Sequence, residues 1–394
     1  MGKEKAQHSS KSKYLCGKRI LPEPISADTN IVQLVDSMDA YNGGRLRAAC
    51  HLLRDKYSAE DVTVGLSLAG ALTPAGLGPS AVIPLMNHGF VDWLTATGAN
   101  MYHDLHFAFN LPMHRGSHAV DDADLRKTGV TRIYDILFDY EDVLMETDRR
   151  LRQILVRPEF QKEMGTREFY YHLGKILDEH ERKNGIGQVS ILAAAYRNGI
   201  PVFTSSPGDS TIGMNVAGLE LLAEATGLQD WFKLKINPSI DVNDSTAIIL
   251  NAKKYENGKT AVILIGGGSP KNFMLQTEPQ IQEVLMIPEA GQDYDINVTD
   301  ARPDTGGLSG APPSEAVSWG KIDPARLEET VTAYLDVTAA LPMMVAYTIQ
   351  TTKPKKLKRL YDRGQELHEK LMESYLENNK EIEALRKLMK KLGS

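Results

Sequence analysis

One short stretch, residues 310–322, holds the residue types best suited to chemistry. It places Lys321 two positions after Trp319 and six after Glu315. A lysine becomes a nucleophile when burial or neighbouring cations destabilise its ammonium form. Trp319 could form an apolar wall beside it, and Glu315 could move protons or hold a cationic substrate. The same residue types also suit a solvated lysine and a core tryptophan, because most lysines are surface charges.

A run of three glycines, Gly266, Gly267 and Gly268, is the second candidate site. It follows an apolar segment with the length of a strand and precedes a predicted helix. Glycines at such a turn let the backbone approach a pyrophosphate, whose charge the helix N-terminus favours. The spacing differs from the G-x-G-x-x-G fingerprint, so by itself the run favours a tight structural turn.

Apolar runs of strand length alternate with longer connections along the chain. Six of them are predicted strands: residues 62–68, 91–97, 200–204, 260–265, 294–298 and 332–337. The connections are long enough to hold helices. We therefore predict an α/β fold of Rossmann-like type, with a mainly parallel sheet covered on both faces. In such a sheet, ligands collect where the strands end.

Composition restricts the class of protein. The chain has 394 residues, is 42% apolar and carries a net charge of −6. Two cysteines, Cys16 and Cys50, give neither a disulfide framework nor metal-ligand spacing, so no metal is expected. Residues 1–19 are polar and basic and lack the apolar centre of a signal peptide, and no apolar run has the length of a membrane span. We interpret the chain as a cytoplasmic protein without a membrane partner.

The chain divides into three predicted parts: a flexible lead over residues 1–28, an α/β domain over 29–352 and a helical tail over 353–394. The tail holds twelve Lys or Arg against seven Asp or Glu, so it is net +5 and the rest of the chain is net −11. An acidic body suits polycationic small molecules better than nucleic acid.

The tail also carries an approximate heptad stripe of apolar residues. Such a stripe is typical either of a helix packed on its own body or of an oligomerisation helix, and the sequence favours neither. The stripe consists of Leu360, Leu367, Leu371, Ile382, Leu385, Met389 and Leu392.

Residues 315–322, which read Glu-Ala-Val-Ser-Trp-Gly-Lys-Ile, resemble the active-site lysine motif of the deoxyhypusine synthases. Those enzymes are NAD-dependent and transfer a 4-aminobutyl group from spermidine. The similarity extends from about residue 30 to about residue 346 and includes residues 129–133, 200–203 and 265–268. It implies that Lys321 holds the transferred fragment as a Schiff base, that Glu315 assists proton transfer and that Trp319 excludes water.

The resemblance also implies an NAD site and an oligomer. The positions that would contact NAD follow the ends of several predicted strands, and Asp336 is placed at the end of the last one. These positions are Thr97, Gly98, Ala99, Asp209, Gly266, Gly267, Gly268, Ser309 and Asp336. By the same resemblance we expect a homotetramer with its sites at subunit interfaces.

Four positions depart from the family pattern where the family binds its polyamine. Met214 and Leu308 stand in place of two aspartates that hold the ammonium ends, Asn272 in place of a histidine, and Asn297 in place of a tyrosine. A desolvated ammonium needs an anion or several acceptors, which Met and Leu do not provide. The candidates for replacement anions are Asp241, Asp244, Asp295, Asp300 and Asp304.

This pattern is similar to that of a divergent group, the deoxyhypusine synthase-like proteins, and it leaves three functions open. The first is an aminoalkyl transferase with a small polyamine as acceptor, as in a homospermidine synthase. The second is a true deoxyhypusine synthase that modifies a lysine of a translation initiation factor, which the altered polyamine site disfavours. The third is a non-catalytic binding or scaffold protein, which the presence of Glu315, Trp319 and Lys321 disfavours.

Overall fold

The computed structural model describes residues 14–393, so the first thirteen positions of the predicted lead lie outside the described residues. Strands and helices alternate through most of the chain. The strands are β1 Val62–Leu68, β2 Trp93–Ala96, β3 His114–Arg115, β4 Val130–Ile133, β5 Ile136–Asp139, β6 Glu163–Met164, β7 Val202–Phe203, β8 Lys235–Ile236, β9 Lys259–Ile265, β10 Tyr294–Val298 and β11 Thr330–Ala333.

Helices connect these strands and cover both faces of the main sheet. The α-helices are Ile31–Asp36, Tyr41–Leu52, Ile83–Asn87, Gly98–Ala108, Asp122–Lys127, Glu146–Leu155, Thr166–Asn184, Ile191–Asn198, Thr211–Thr226, Pro238–Leu250, Gly268–Leu275, Thr277–Pro279, Pro313–Ser318, Val337–Thr351, Gly364–Asn378 and Ile382–Leu392. Within residues 14–393, none of the helices combines the length and the apolar character that crossing a membrane requires.

Six of the strands form one parallel sheet in the order β11–β10–β9–β1–β2–β7. The pairing of β1 with β9 runs without interruption from Val62 opposite Lys259 to Leu68 opposite Ile265. The remaining strands form a small antiparallel sheet, β3–β5–β4, and a parallel pair, β6 with β8. The predicted α/β class with a mainly parallel sheet is confirmed.

Two apolar layers hold the helices against this sheet. One face carries Trp93, Val262 and Leu264 and is covered by helices that include Pro238–Leu250 and Gly268–Leu275. The opposite face packs against helices such as Gly98–Ala108, Ile191–Asn198 and Val337–Thr351. A strand buried on both faces needs a continuous apolar run, which is why β1, β9 and β10 were recognisable in the sequence.

The last predicted strand is wrong at its carboxyl end. The strand spans Thr330–Ala333, and Asp336 lies beyond it as the N-cap of the helix Val337–Thr351. One Asp336 carboxylate oxygen accepts a hydrogen bond from the Thr338 amide at 2.9 Å. Aspartate is among the preferred N-cap residues, so Asp336 and Val337 begin the helix and do not extend the strand.

The burial of apolar side chains in the tail after residue 353 differs between its first part and its last helix. Leu360, Leu367 and Leu371 are buried in the layer that covers Trp93 and Leu264, beside the helix Pro238–Leu250. In the last helix, Ile382–Leu392, the side chains of Leu388 and Met389 are exposed. The first half of the apolar stripe therefore packs on the body, and the second half presents an apolar face at the surface.

This difference predicts different costs for two leucine truncations. Leu367→Ala should lower the free energy of unfolding by about 2–5 kcal/mol, because it leaves a cavity in a packed layer. Leu388→Ala should change it by less than about 0.5 kcal/mol, as is usual for surface positions. Urea denaturation of both variants measures this, and equal losses would contradict the packing described for the tail.

Candidate active site

Lys321 is held by backbone hydrogen bonds at a turn that follows the helix Pro313–Ser318. The Lys321 amide donates to the Ala316 carbonyl at 3.0 Å, and the Gln292 amide donates to the Lys321 carbonyl at 3.0 Å. Gly320 has a φ of +66°, a left-handed conformation that glycine adopts without strain. These bonds fix the direction in which the lysine side chain leaves the backbone.

The Lys321 amine is half-buried beside a neutral acceptor. Its Nζ donates to Asn272 Oδ1 at 3.0 Å and lies 5.9 Å from the centre of the Trp319 ring. Burial lowers the pKa of the Lys321 ammonium below its ordinary value, with the carboxylates of Glu315 and Glu283 acting in the opposite direction. A larger fraction of this amine is therefore neutral and nucleophilic than in an unperturbed lysine at the same pH.

A cavity of about 310 Å³ opens onto the amine, and we call it the lysine cavity. It brings the three predicted catalytic residues together with two of the positions that depart from the family pattern. Its lining residues are Lys271, Asn272, Leu275, Gln276, Leu308, Ala311, Glu315, Ala316, Trp319 and Lys321. Met214 is not among them: it lies on the helix Thr211–Thr226 with 67% of its surface exposed.

Lys271 is a site residue that the sequence reasoning missed. Its Nζ is buried and donates to the Ala311 carbonyl at 2.9 Å. Burial lowers the pKa of Lys271, the Lys321 charge adds to this effect, and Asp295 opposes it. The only available signal was its position in the helix directly after the glycine run, three residues from Gly268.

Among the candidate replacement anions, Asp295 is electrostatically linked to this cavity through Lys271. Burial raises the pKa of Asp295 to about 7, and the Lys271 charge opposes that rise. Within residues 14–393, Asp295 Oδ1 has no hydrogen-bond partner, and neither polar side-chain atom of Asn297, two residues along β10, has one. Unpaired buried polar atoms are costly, so Asp295 and Asn297 mark a polar patch on β10 whose hydrogen-bonding capacity the described residues leave unused.

The other candidate anions are engaged in structural contacts or lie at the surface. Asp241 accepts hydrogen bonds from the Thr166 amide and hydroxyl, both at 2.8 Å, where the helix Thr166–Asn184 begins. Asp244 forms an ion pair with Arg167 at 2.8 Å, and the exposed Asp304 pairs with Arg302. Asp300 is exposed after the end of β10.

The glycine turn between β9 and the helix Gly268–Leu275 is a second part of the site. All three glycines have positive φ, and the Gly268 amide donates to Ser309 Oγ at 2.9 Å. A Cβ on Gly267 would lie 2.5 Å from the Ser309 Cα, whereas a Cβ on Gly268 would meet no atom within 4 Å. Free space therefore adjoins Gly268 at a helix N-terminus, where backbone amides and a hydroxyl suit a pyrophosphate such as that of NAD.

The remaining predicted cofactor positions lie along the same edge of the sheet. Thr97 is the N-cap of the helix Gly98–Ala108, which also contains Ala99, and its hydroxyl accepts from the Asn100 amide at 3.2 Å. Asp209 follows β7 in the loop before the helix Thr211–Thr226. The strands β2 and β11 are each two strands from β9, so their axes lie about 10 Å from it on opposite sides, and Thr97 and Asp336 follow the ends of these two strands.

A parallel sheet with a glycine turn at its carboxyl edge and a half-buried lysine in a cavity is an arrangement typical of an α/β enzyme. The family model described as deoxyhypusine synthase matches residues 30–348. A deoxyhypusine synthase-like protein of Nostoc punctiforme is 52% identical over 361 residues, covering 91% of this chain and 90% of its own. A probable deoxyhypusine synthase 2 of Methanosarcina mazei is 34% identical over 336 residues, covering 84% of this chain and 89% of its own.

This chain therefore belongs to the deoxyhypusine synthase family, whose members are aminoalkyl transferases. The fold agrees: the crystal structure of a putative deoxyhypusine synthase from Entamoeba histolytica superposes with a TM-score of 0.52 at 13% identity, covering 86% of this chain and all of the other. The resemblance stated from the sequence, including the divergent deoxyhypusine synthase-like group, is confirmed.

The contact between Lys321 and Asn272 predicts a shift in lysine reactivity. In Asn272→Asp a carboxylate would face the Lys321 ammonium, which favours the charged form and raises its pKa. The pH at which trinitrobenzenesulfonate modifies Lys321 at half its maximal rate should therefore rise, as read by peptide mass analysis. Gln276→Glu, at a lining position without a hydrogen bond to the lysine, is the control. An unchanged or lower midpoint in Asn272→Asp would rule out this contact as the determinant.

Proposed function

We propose that this protein is an NAD-dependent aminoalkyl transferase that works through a Schiff base on Lys321 and passes the fragment to a small polyamine or related small amine. The observation that carries the proposal is the Lys321 amine itself, half-buried, with a lowered pKa, and facing a cavity that also holds Glu315 and Trp319. Family membership supports the transferase class. The absence of an anion at Met214 and Leu308 supports a substrate other than the one the family's polyamine site holds.

The roles of the side chains follow from their places in the lysine cavity. The neutral Nζ of Lys321 adds to the carbon of a substrate imine, and the bond from that carbon to the departing amine breaks. Asn272 Oδ1 holds the amine in place through its 3.0 Å hydrogen bond. Glu315 is the carboxylate lining the cavity, so it is placed to carry protons between the nitrogens. Trp319 lines the cavity while 60% of its surface is exposed in this chain, and its ring would limit the access of water to the imine from one side.

NAD fits the carboxyl edge of the sheet. When bound there, it would supply the hydride acceptor for the carbon next to an amine nitrogen and return the hydride to the product imine. Gly268, Ser309 and the N-terminus of the helix Gly268–Leu275 would hold the pyrophosphate. The rest of the NAD molecule would contact the other predicted positions, which are Thr97, Gly98, Ala99, Asp209 and Asp336. A carboxylate among them is suited to the ribose hydroxyls.

An oligomer is part of the proposal, because one helix presents apolar side chains that nothing in the described chain covers. Met214, Leu221 and Leu222 on the helix Thr211–Thr226 are exposed, as is Trp231 just beyond it. Exposed apolar patches of this kind mark interaction surfaces. A homotetramer, as in the family resemblance, would bury this surface and bring Met214 towards a neighbouring site.

Borohydride trapping tests the covalent step. Incubation with NAD and a radiolabelled polyamine, followed by borohydride, should place the label on Lys321, as located by peptide mass analysis. Lys321→Ala should abolish the label and turnover, while the exposed Lys233→Ala should retain both. Undiminished turnover in folded Lys321→Ala protein would refute the proposal. Absence of both label and NAD binding in the wild-type protein would favour a non-catalytic binding role.

The glycine turn permits a matched test of the NAD site. Gly268→Ala adds a methyl group in the open space, where φ is +59°, and should weaken NAD binding at least about tenfold by filling the place of the pyrophosphate. Gly227→Ala is the control, because its φ is +70° and its Cβ would also meet nothing within 4 Å. Both variants carry a similar backbone strain of about 1–2 kcal/mol. Calorimetric titration with NAD measures the difference, and equal affinities would contradict the placement.

Spermidine should be a poor donor for modification of a protein lysine. An ammonium that faces Met214 and Leu308 in place of two aspartates lacks charge-assisted hydrogen bonds worth roughly 1.5–3 kcal/mol each, so two losses weaken binding by about two to four decades. The assay supplies radiolabelled spermidine, NAD and a translation initiation factor. Label in a small polyamine such as homospermidine would support the proposal, whereas efficient label in the factor would establish a true deoxyhypusine synthase. The triple variant Met214→Asp, Leu308→Asp, Asn272→His should raise spermidine use.

A further inference from the structure

A second cavity of about 380 Å³ lies next to the lysine cavity, and we call it the hydroxyl cavity. Asn272 and Gln276 line both cavities, so the two are separated by the side chains of a single helical turn. None of the sequence-predicted site residues other than Asn272 lines it. Its lining residues are Ser205, Val242, Ser245, Thr246, Ser269, Asn272, Phe273, Gln276, Thr277, Pro279, Gln280, Glu283 and Val284.

Three of the five hydroxyl groups that line this cavity present acceptors, because their protons are already committed. Of the other two, Ser269 donates to Ser205 Oγ at 2.7 Å. Ser245 Oγ and Thr246 Oγ1 donate to the Val242 carbonyl at 3.1 and 2.7 Å, and Thr277 Oγ1 donates to the Met274 carbonyl at 2.8 Å. A hydroxyl has one donor and two acceptor lone pairs, so each of these groups offers only lone pairs to a ligand. The cavity therefore suits a molecule rich in N–H donors.

The hydroxyl cavity carries a negative charge, which suits a cationic ligand rich in N–H donors. Glu283 is its single ionisable lining residue within the described chain, and its carboxylate acts on the Lys321 charge from this side. An ammonium or guanidinium group would gain a charge-assisted hydrogen bond from Glu283 and further bonds from the hydroxyl oxygens. The lysine cavity differs, because two lysines and one glutamate line it.

We propose that the hydroxyl cavity binds the acceptor substrate, a short aliphatic diamine or guanidino amine, with its distal cation at Glu283 and its reacting amine at Asn272. The inference rests on the proposed function and adds a separate acceptor site to it. Asn272 Oδ1 already accepts from Lys321 Nζ, so a second amine bound to the same oxygen from the hydroxyl cavity stands beside the lysine. Asn272, which stands where the family has histidine, would then lie next to both the fragment on Lys321 and the acceptor amine.

The transfer step balances in this arrangement. The acceptor nitrogen forms a bond to the carbon of the Lys321 imine, and the bond from that carbon to Nζ breaks. Two protons pass from the acceptor nitrogen to Nζ, which leaves a neutral lysine and a new neutral imine. No oxidant or reductant is consumed in this step.

Two variants test the acceptor site without substituting a residue that lines the lysine cavity. Val242→Phe fills the hydroxyl cavity from a residue that does not line the lysine cavity, and Glu283→Gln removes the charge at an exposed position. With 1,4-diaminobutane as acceptor, Glu283→Gln should raise KM about tenfold, the size expected for one lost charge-assisted contact, and Val242→Phe should raise it at least as much by occupying the cavity. Borohydride labelling of Lys321 by the donor should persist in both. Glu328→Gln, an exposed carboxylate outside both cavities, should keep the wild-type KM.

Equilibrium dialysis of radiolabelled 1,4-diaminobutane against Lys321→Ala protein tests the same site without turnover. Binding that is retained in this background and lost on adding Val242→Phe or Glu283→Gln supports the proposal. Unchanged binding in both double variants overturns it, whether or not turnover is observed. If Lys321 is labelled normally but both single variants keep the wild-type acceptor KM, the acceptor site is refuted while the Schiff-base function stands. Loss of labelling in the wild-type protein, by contrast, refutes the proposed function itself.

Discussion

The proposed chemistry depends on one constraint, which is that the Lys321 amine must be partly removed from water and hydrogen-bonded to a neutral group. Its hydrogen-bond partner is the amide oxygen of Asn272, a neutral acceptor 3.0 Å away. A carboxylate at this position would favour the ammonium ion and remove the nucleophile, whereas a neutral amide orients the amine and leaves burial to lower its pKa. Asn272 thus replaces the histidine expected from the family resemblance and forms a hydrogen bond with Lys321.

That arrangement requires a rigid backbone, and the supports come from a segment that follows the glycine-turn helix. Gln282 Nε2 donates to the Gly320 carbonyl at 2.8 Å, and Gln292 pairs with the backbone on both sides of Ile322. Behind them, burial and the neighbouring Glu289 raise the pKa of Glu278 well above its ordinary value. Lys253 forms an ion pair with Glu289 at 2.9 Å. The buried carboxylate of Glu289 therefore has the compensating charge that a stable buried ion requires.

The sequence alone predicts the strands and site residues that depend on neighbouring positions, and it does not predict those that depend on later or distant segments. The strands β1 and β10 were predicted to the residue, because a strand buried on both faces is a continuous apolar run. The cluster of Glu315, Trp319 and Lys321 was predicted from a motif that stays within one helix and its following turn. Asp336, in contrast, was assigned to a strand because β-branched and aromatic residues precede it, while its capping role depends on the helix that follows.

The missed features all come from contacts between distant segments. Lys271 and Asp295 lie on a helix and on β10, and only the packing of that helix over the sheet brings their charges into interaction. The close approach of Gly267 to Ser309 also joins separate loops, so a large side chain at Gly267 would displace the loop as well as a ligand. The hydroxyl cavity is built from three separate stretches, and no pattern within any one of them indicates a binding site.

Asp295 gives these long-range contacts a chemical consequence. With a pKa near 7 it can carry a proton or a charge at physiological pH, and the Lys271 ammonium is what keeps it partly ionised. Lys271 Nζ donates to the Ala311 carbonyl, so it acts on Asp295 through its charge, and Asp295 Oδ1 has no hydrogen-bond partner among the described residues. In the proposed transferase, a cationic substrate close to Asp295 would act in the same direction, because an opposite charge lowers the pKa of a carboxyl group. The protonation state of Asp295 would then depend on the substrate charge as well as on Lys271.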